Sequence, residues 1–207
     1  MKNTLLIGGL AATLCVAAAP ALAQSASLQD WSALGDVVVD SAVTSRLTTA
    51  YLDEAPLSAS HALPYYDLEP ALSVLAGSLA GDTIEGSGLR QSFVATAGTR
   101  LQFDWQLSTD AFNPAQADRA FVLIDDGALE ALGEVAANTV SGRYSYTFTS
   151  AGSHALALVV MDVNTADGVS TLTLSNFNIS AVPEPGSDAM LLLGLGLLAG
   201  VARHRRG

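Results

Sequence analysis

Leu101-Gln102-Phe103-Asp104-Trp105-Gln106-Leu107 alternates apolar and polar residues without a break, and Tyr144-Ser145-Tyr146-Thr147-Phe148-Thr149 repeats the pattern. A period of two places apolar side chains on one face of an extended strand and polar ones on the other. Both stretches are therefore read as half-buried antiparallel strands. Residues 121–125 and 154–162 are more continuously apolar and predict strands covered on both faces. Residues 171–179, 89–96 and 45–50 supply further strands. Gly98, Asp126-Gly127, Ser141-Gly142, Ala151-Gly152 and Asp167-Gly168 are read as the turns between them. Two helical segments are expected. Residues 69–79 have Pro70 at the start and Leu72, Leu75 and Leu79 on one face, and residues 128–137 form a weaker candidate. Roughly seven or eight short strands in such a length predict an all-β fold, an antiparallel β-sandwich of jelly-roll type.

The chain has 207 residues and a formal net charge of −11, with a single cysteine. Residues 24–181 hold 18 acidic residues against five arginines, at positions 46, 90, 100, 119 and 143, and no lysine. Such a surface repels nucleic acid and anionic lipid. It suits solubility, divalent cations or a polysaccharide matrix. The stretch is long enough for one independent core.

Both flanks read as targeting signals. Lys2 precedes an uncharged, largely apolar run to Ala19; Pro20 breaks it, and Ala21-Leu22-Ala23 sets small residues for signal peptidase. Residues 1–23 are thus expected to be a signal peptide cleaved before Gln24. Cys15 lies inside it behind Leu14, where a lipidation signal needs a small residue, so the mature chain is expected to lack cysteine and disulfides. At the other flank, Val182-Pro183-Glu184-Pro185 must be extended, because its prolines fix φ and remove donors. The uncharged run 189–202 follows, about 21 Å long as a helix against a hydrocarbon core of about 30 Å. Arg203-His204-Arg205-Arg206 then favours a cytoplasmic C-terminus.

Motif, apolar helix and basic tail, in that order from Val182 to Arg206, closely resemble the PEP-CTERM sorting signal of exported bacterial proteins. The resemblance implies processing by exosortase near the Pro-Glu-Pro motif, in a Gram-negative envelope, alongside exopolysaccharide production. It also implies transient anchoring of the C-terminal helix in the inner membrane before release to the cell surface or medium. The organisation expected is a signal peptide (1–23), a β-sandwich ectodomain (24–181) and a sorting signal (182–207). More softly, Glu85-Gly86-Ser87-Gly88-Leu89-Arg90-Gln91-Ser92-Phe93, Leu101-Gln102-Phe103-Asp104-Trp105 and Asp118-Arg119-Ala120-Phe121-Val122 resemble a recurrent ectodomain of such proteins, similar in outline to carbohydrate-binding jelly rolls. No binding residues carry over from that likeness.

No catalytic constellation stands out. His61 and His154 are far apart in sequence, G-x-S-x-G and H-E-x-x-H are missing, and Ser153 and His154 point to opposite faces of one strand. His154 is read as a strand-edge residue. Asp104, Asp110, Asp118, Asp125 and Asp126 could in principle supply a glycosidase pair, with Asp104 beside Trp105. Residues 162–168 share acidic spacing with an EF-hand loop but lack its Gly and closing Glu, so an Asp-Gly turn accounts for them. A different Ca²⁺ site, drawing on Asp125 and Asp126, is a candidate. Trp105, Tyr144 and Tyr146 share the apolar phase of their strands and belong to the core. Tyr65 and Tyr66 fall in an irregular, proline-containing stretch and are the better candidates for stacking on a sugar. The reading expected is a non-enzymatic surface or matrix protein with a structural or adhesive role in exopolysaccharide. A carbohydrate-binding module is the alternative, and a glycan hydrolase the weakest third.

Overall fold

The structure is a computed structural model that describes residues 27–79, 81–110, 116–125, 127–163, 168–180, 194–195 and 204. Two antiparallel sheets form the body. One carries β1 (Ser32–Leu34), β5 (Thr83–Ala95), β10 (Gly152–Val163), β7 (Asp118–Ile124) and β8 (Glu130–Val135) in that spatial order, with the short β4 (Leu63–Pro64) also paired to β5. The other carries β2 (Val37–Ser41), β3 (Thr44–Thr48), β11 (Ser170–Ser180), β6 (Arg100–Thr109) and β9 (Thr139–Thr147). A single 3₁₀ turn, Leu28–Asp30, precedes them, and one helix, α1 (Tyr65–Leu72), lies between β4 and β5.

Alternation explains the core. Leu101, Phe103 and Leu107 of β6 and Leu172 and Leu174 of β11 meet Leu89, Val122, Leu156, Leu158 and Val160 of the facing sheet. The continuous apolar run of β10 is explained by its place between β5 and β7. Its even-numbered residues from 156 to 160 enter the inter-sheet core. The odd-numbered Ala157, Val159 and Met161 pack outward beneath Leu68 and Leu72 of α1. The first sheet is therefore covered on both faces, while among the described residues no element packs on the outer face of the second.

Several expectations are corrected. The helix runs over Tyr65–Leu72, not 69–79, so Tyr65 and Tyr66 open it instead of lying in a loop. Ser73 ends it in the left-handed region at φ 60°. Buried Glu69 then accepts from the amides of Gly77 and Leu79 at 2.9 and 2.7 Å, which holds the following segment in a turn. Leu72 and Leu79 are buried, but Leu75 is 84% exposed. The second helical candidate is strand β8, because pairing with β7 overrides its local propensity. Ser141-Gly142 lies within β9, not at a turn. His154 is not at a strand edge. It is buried within β10, with Nδ1 2.9 Å from Asp125 Oδ2, Nε2 3.2 Å from the Ser150 carbonyl, and the Phe148 ring at 4.6 Å.

Candidate functional site

The open face of the second sheet is polar across β6, β9 and β11, with Val38 of β2 standing opposite Arg46 at its margin. Because Leu101, Phe103 and Leu107 point inward, Gln102, Asp104, Gln106 and Ser108 of β6 must point outward. Register sets Ser145, Arg143, Ser141 and Thr139 of β9 opposite them, and Ser175, Thr173 and Thr171 of β11 along the other side. Arg46 of β3 continues the row beyond Thr173. Hydroxyls and amides dominate, and the charges are neutralised locally. Arg143 binds Asp104 through Nε and Nη2 at 2.6 and 3.2 Å. Asn176, at φ 53° in a bulge of β11, donates to the same carboxylate at 2.7 Å. These donors, Arg143 foremost, hold the Asp104 carboxyl at about 2. Arg46 and Asp40 form a second forked pair at 2.8 and 3.0 Å.

At one end this face runs into a groove of about 500 Å³ lined by Glu54, Ala55, Ser108, Asp110 and Thr171 among others. Its outer wall belongs to the segment between β3 and β4, which Asp36 pins. That fully buried carboxylate accepts from the amides of Leu57 and Ser58 at 2.8 and 2.7 Å and from the Thr48 hydroxyl. Burial alone would raise the Asp36 pKa, but these hydrogen bonds outweigh it and the net shift is downward.

The residues singled out from sequence are scattered. Tyr66 is 61% exposed at the start of α1, with its ring edge-on to Tyr65 at 5.5 Å. Both lie on the helix covering the first sheet, away from the polar face. Asp125, in the left-handed region at φ 55°, binds His154 and accepts from the Ala155 amide at 2.9 Å. Burial opposes its ionisation, yet the bonds to His154 and Ala155 bring its pKa below the ordinary value. Asp126, Ala21, Ala23, Gln24 and the sorting-signal residues Val182, Pro183, Glu184, Pro185, Arg203, Arg205 and Arg206 lie outside the described residues. Asp118 faces the inter-sheet core and accepts from the Val163 amide and the Ser170 hydroxyl, whereas Asp104 faces solvent. Those two do not flank one site. Among the described residues, no three His, Cys, Asp or Glu side chains are gathered as a ready-made metal centre, and no helix is long and apolar enough to cross a membrane.

The polar face escaped the sequence reading, although the signal was present. Its Gln, Ser and Thr residues are simply the polar phase of the strands, and only the topology shows that no element of the described residues packs over them.

Residues 181–206 match the PEP-CTERM protein-sorting motif. The chain thus carries the signal of an exported protein that is anchored transiently in the membrane and processed by exosortase. No curated protein matches it. Among solved structures it is similar to TmCBM61 in complex with β-1,4-galactotriose, at 11% identity and a TM-score of 0.37 over 76% of this chain and 92% of that one. The N-terminal cellulose-binding domain of Cellulomonas fimi β-1,4-glucanase C matches at 13% identity and a TM-score of 0.33, over 67% and 90%. A family two carbohydrate esterase from Cellvibrio japonicus matches at 17% identity and 0.35, over 78% of this chain but 35% of the esterase. Likenesses at these scores carry no inference about ligand or reaction.

Proposed function

We propose that this chain is a non-enzymatic matrix protein of a Gram-negative bacterium, displayed at or released from the cell surface, whose sandwich adheres to exopolysaccharide through the open face of the second sheet. The observation that carries the reading is the composition of that face. Gln102, Gln106, Ser141 and Thr173 stand side by side with no large apolar group between them and with their charged neighbours already paired. Sugar hydroxyls need this mixture of donors and acceptors, and a flat row matches a long polymer better than a small ligand. Each bond contributes only about 1 kcal/mol net, so adhesion depends on repetition along the polymer. The sorting signal, which marks an exported chain, supports this reading, and the chain's passage from sheet to sheet between β5 and β6, β6 and β7, and β8 to β11 fits a jelly-roll path.

Co-sedimentation of the secreted protein with polysaccharide from its own host tests the reading. Combined Gln102→Ala, Gln106→Ala and Thr173→Ala changes, at outward-facing positions that leave the core untouched, are expected to weaken binding about tenfold or more. Undiminished binding would remove the polar face from the account. A dedicated carbohydrate-binding module with a stacking site is the second reading, favoured by the exposed ring of Tyr66. It requires a glycan-array signal that Tyr65→Ala and Tyr66→Ala abolish while the face variant keeps it.

A further inference from the structure

Two sheets present four edges, and among the described residues three of them are blunted. The edge beside β5 is split between β1, three residues long, and β4, two residues ending in Pro64. β8 has six residues, carries Glu130 and Glu134, and meets β7 across a register shift. β2 has five residues, carries Asp40, and is interrupted in the same way opposite β3. Short length, charge, proline and bulges all keep an edge from pairing with another chain. β9 differs. Its nine residues pair with β6 without a shift and contain no proline, lysine or acid. Its one charged side chain, Arg143, is held by Asp104 of the neighbouring strand.

The residues flanking β9 show which way its free backbone groups point. The Asn138 carbonyl accepts from the Thr109 amide at 3.2 Å. At the other end, Phe148 donates to the Thr99 carbonyl at 2.9 Å and accepts from the Gly98 amide at 2.7 Å. Residues 138 and 148 therefore face β6. Direction alternates along an unbroken antiparallel ladder, so the even-numbered residues between them also bond β6. Thr139, Ser141, Arg143, Ser145 and Thr147 turn their N–H and C=O groups away from it. Those groups have no partner among the described residues, and all five side chains are exposed.

We propose that this edge is an interface between two copies of the chain, with their β9 strands paired antiparallel about a two-fold axis. Alternating donors and acceptors make such a strand complementary to itself, so the pair needs no second surface. Charge favours this place over the others. Residues 24–181 hold 18 acids against five arginines, so two copies repel over most of their surface, and β9 is an acid-free edge long enough to pair. A two-fold at Tyr144 sets Arg143 opposite Ser145 of the partner subunit, so the two guanidinium groups do not face each other. Four residues of each strand then exchange about eight hydrogen bonds. The two five-stranded sheets become continuous, and their polar faces join. One strand pair is a small interface, so a Kd on the order of 10 µM is expected. The inference is independent of polysaccharide binding.

The test is sedimentation equilibrium of the secreted protein alone, from about 1 µM to about 500 µM, paired with amide hydrogen exchange at both extremes. A mass that doubles with concentration is expected. The amides of Ser141, Arg143, Ser145 and Thr147 should exchange fast when dilute and slowly when concentrated. Ser145→Pro removes an outward N–H that bonds nothing within the monomer, so the dilute protein should keep its near-UV circular dichroism while the dimer weakens at least tenfold. Thr147→Glu, which keeps every backbone group and adds an acid to the seam, is expected to weaken it about tenfold as well. A monomer at every concentration would overturn the proposal. So would a dimer that both variants leave intact, or one that gives those four amides no protection.

Discussion

Asp36 is invisible to any motif, yet it joins β2 to the wall of the groove. Its own amide donates to the Ser87 hydroxyl of the facing sheet at 2.8 Å, and its carboxylate holds Leu57, Ser58 and Thr48. Asp36→Ala would leave two part-buried amides without an acceptor, and about 3 kcal/mol of stability should be lost, measured by urea unfolding at neutral pH. The pH dependence has a definite sign. The Asp36 pKa is lower folded than unfolded, so its stabilisation is complete above the ordinary carboxylate value near 4 and disappears as pH falls through the lower folded value. The wild type should therefore lose stability on acidification through that window more steeply than Asp36→Asn. Equal slopes would show that the carboxylate is not the acid-labile group.

At the scale of elements, β8 and β9 are the outer strands of the two sheets, and Trp105 of β6 fills the gap between them. A Cβ on Gly133 of β8 would come within 2.7 Å of its indole, and one on Gly142 of β9 within 2.8 Å. Gly142→Ala is expected to cost about 1–3 kcal/mol by overpacking. In a Trp105→Leu background that penalty should shrink toward zero, a coupling that a double-mutant cycle in urea reads directly. This contact also explains what was legible in the sequence. The alternation of Leu101, Phe103 and Leu107 announced β6, and the unbroken run of β10 announced a doubly covered strand, because burial dictates both patterns. Ser141-Gly142 read as a turn because a glycine chosen for a neighbouring indole looks the same as one chosen for φ. The three-residue β1, the two-residue β4 and the edge strand β8 are too short or too polar to carry a period, and pairing alone makes them strands. The helix was displaced for a related reason. Glu69 looked like a first-turn residue, but its carboxylate caps the turn after the helix. Tyr65 and Tyr66 remain separate from the polar face because long-range topology, which local sequence does not encode, puts α1 on the other sheet.

For the whole molecule, the sorting signal and the sandwich make separate demands. The signal governs where the chain goes and can be checked without reference to the fold. Mass spectrometry of the protein recovered outside its host should show a C-terminus near residues 182–185, with residues 189–207 gone. A chain retaining Arg203, Arg205 and Arg206 would instead be a tail-anchored surface domain. Among the described residues the sandwich carries α1 on its first sheet and no element on the outer face of its second, so the adhesion proposed above is assigned to the second. Co-sedimentation with the host's own exopolysaccharide, comparing the wild type with the Gln102, Gln106 and Thr173 triple alanine variant, tests that assignment most directly. The account predicts that the wild type pellets with the polymer and that the well-folded variant stays in solution; a wild type left in the supernatant, or a variant that pellets equally well, would contradict it.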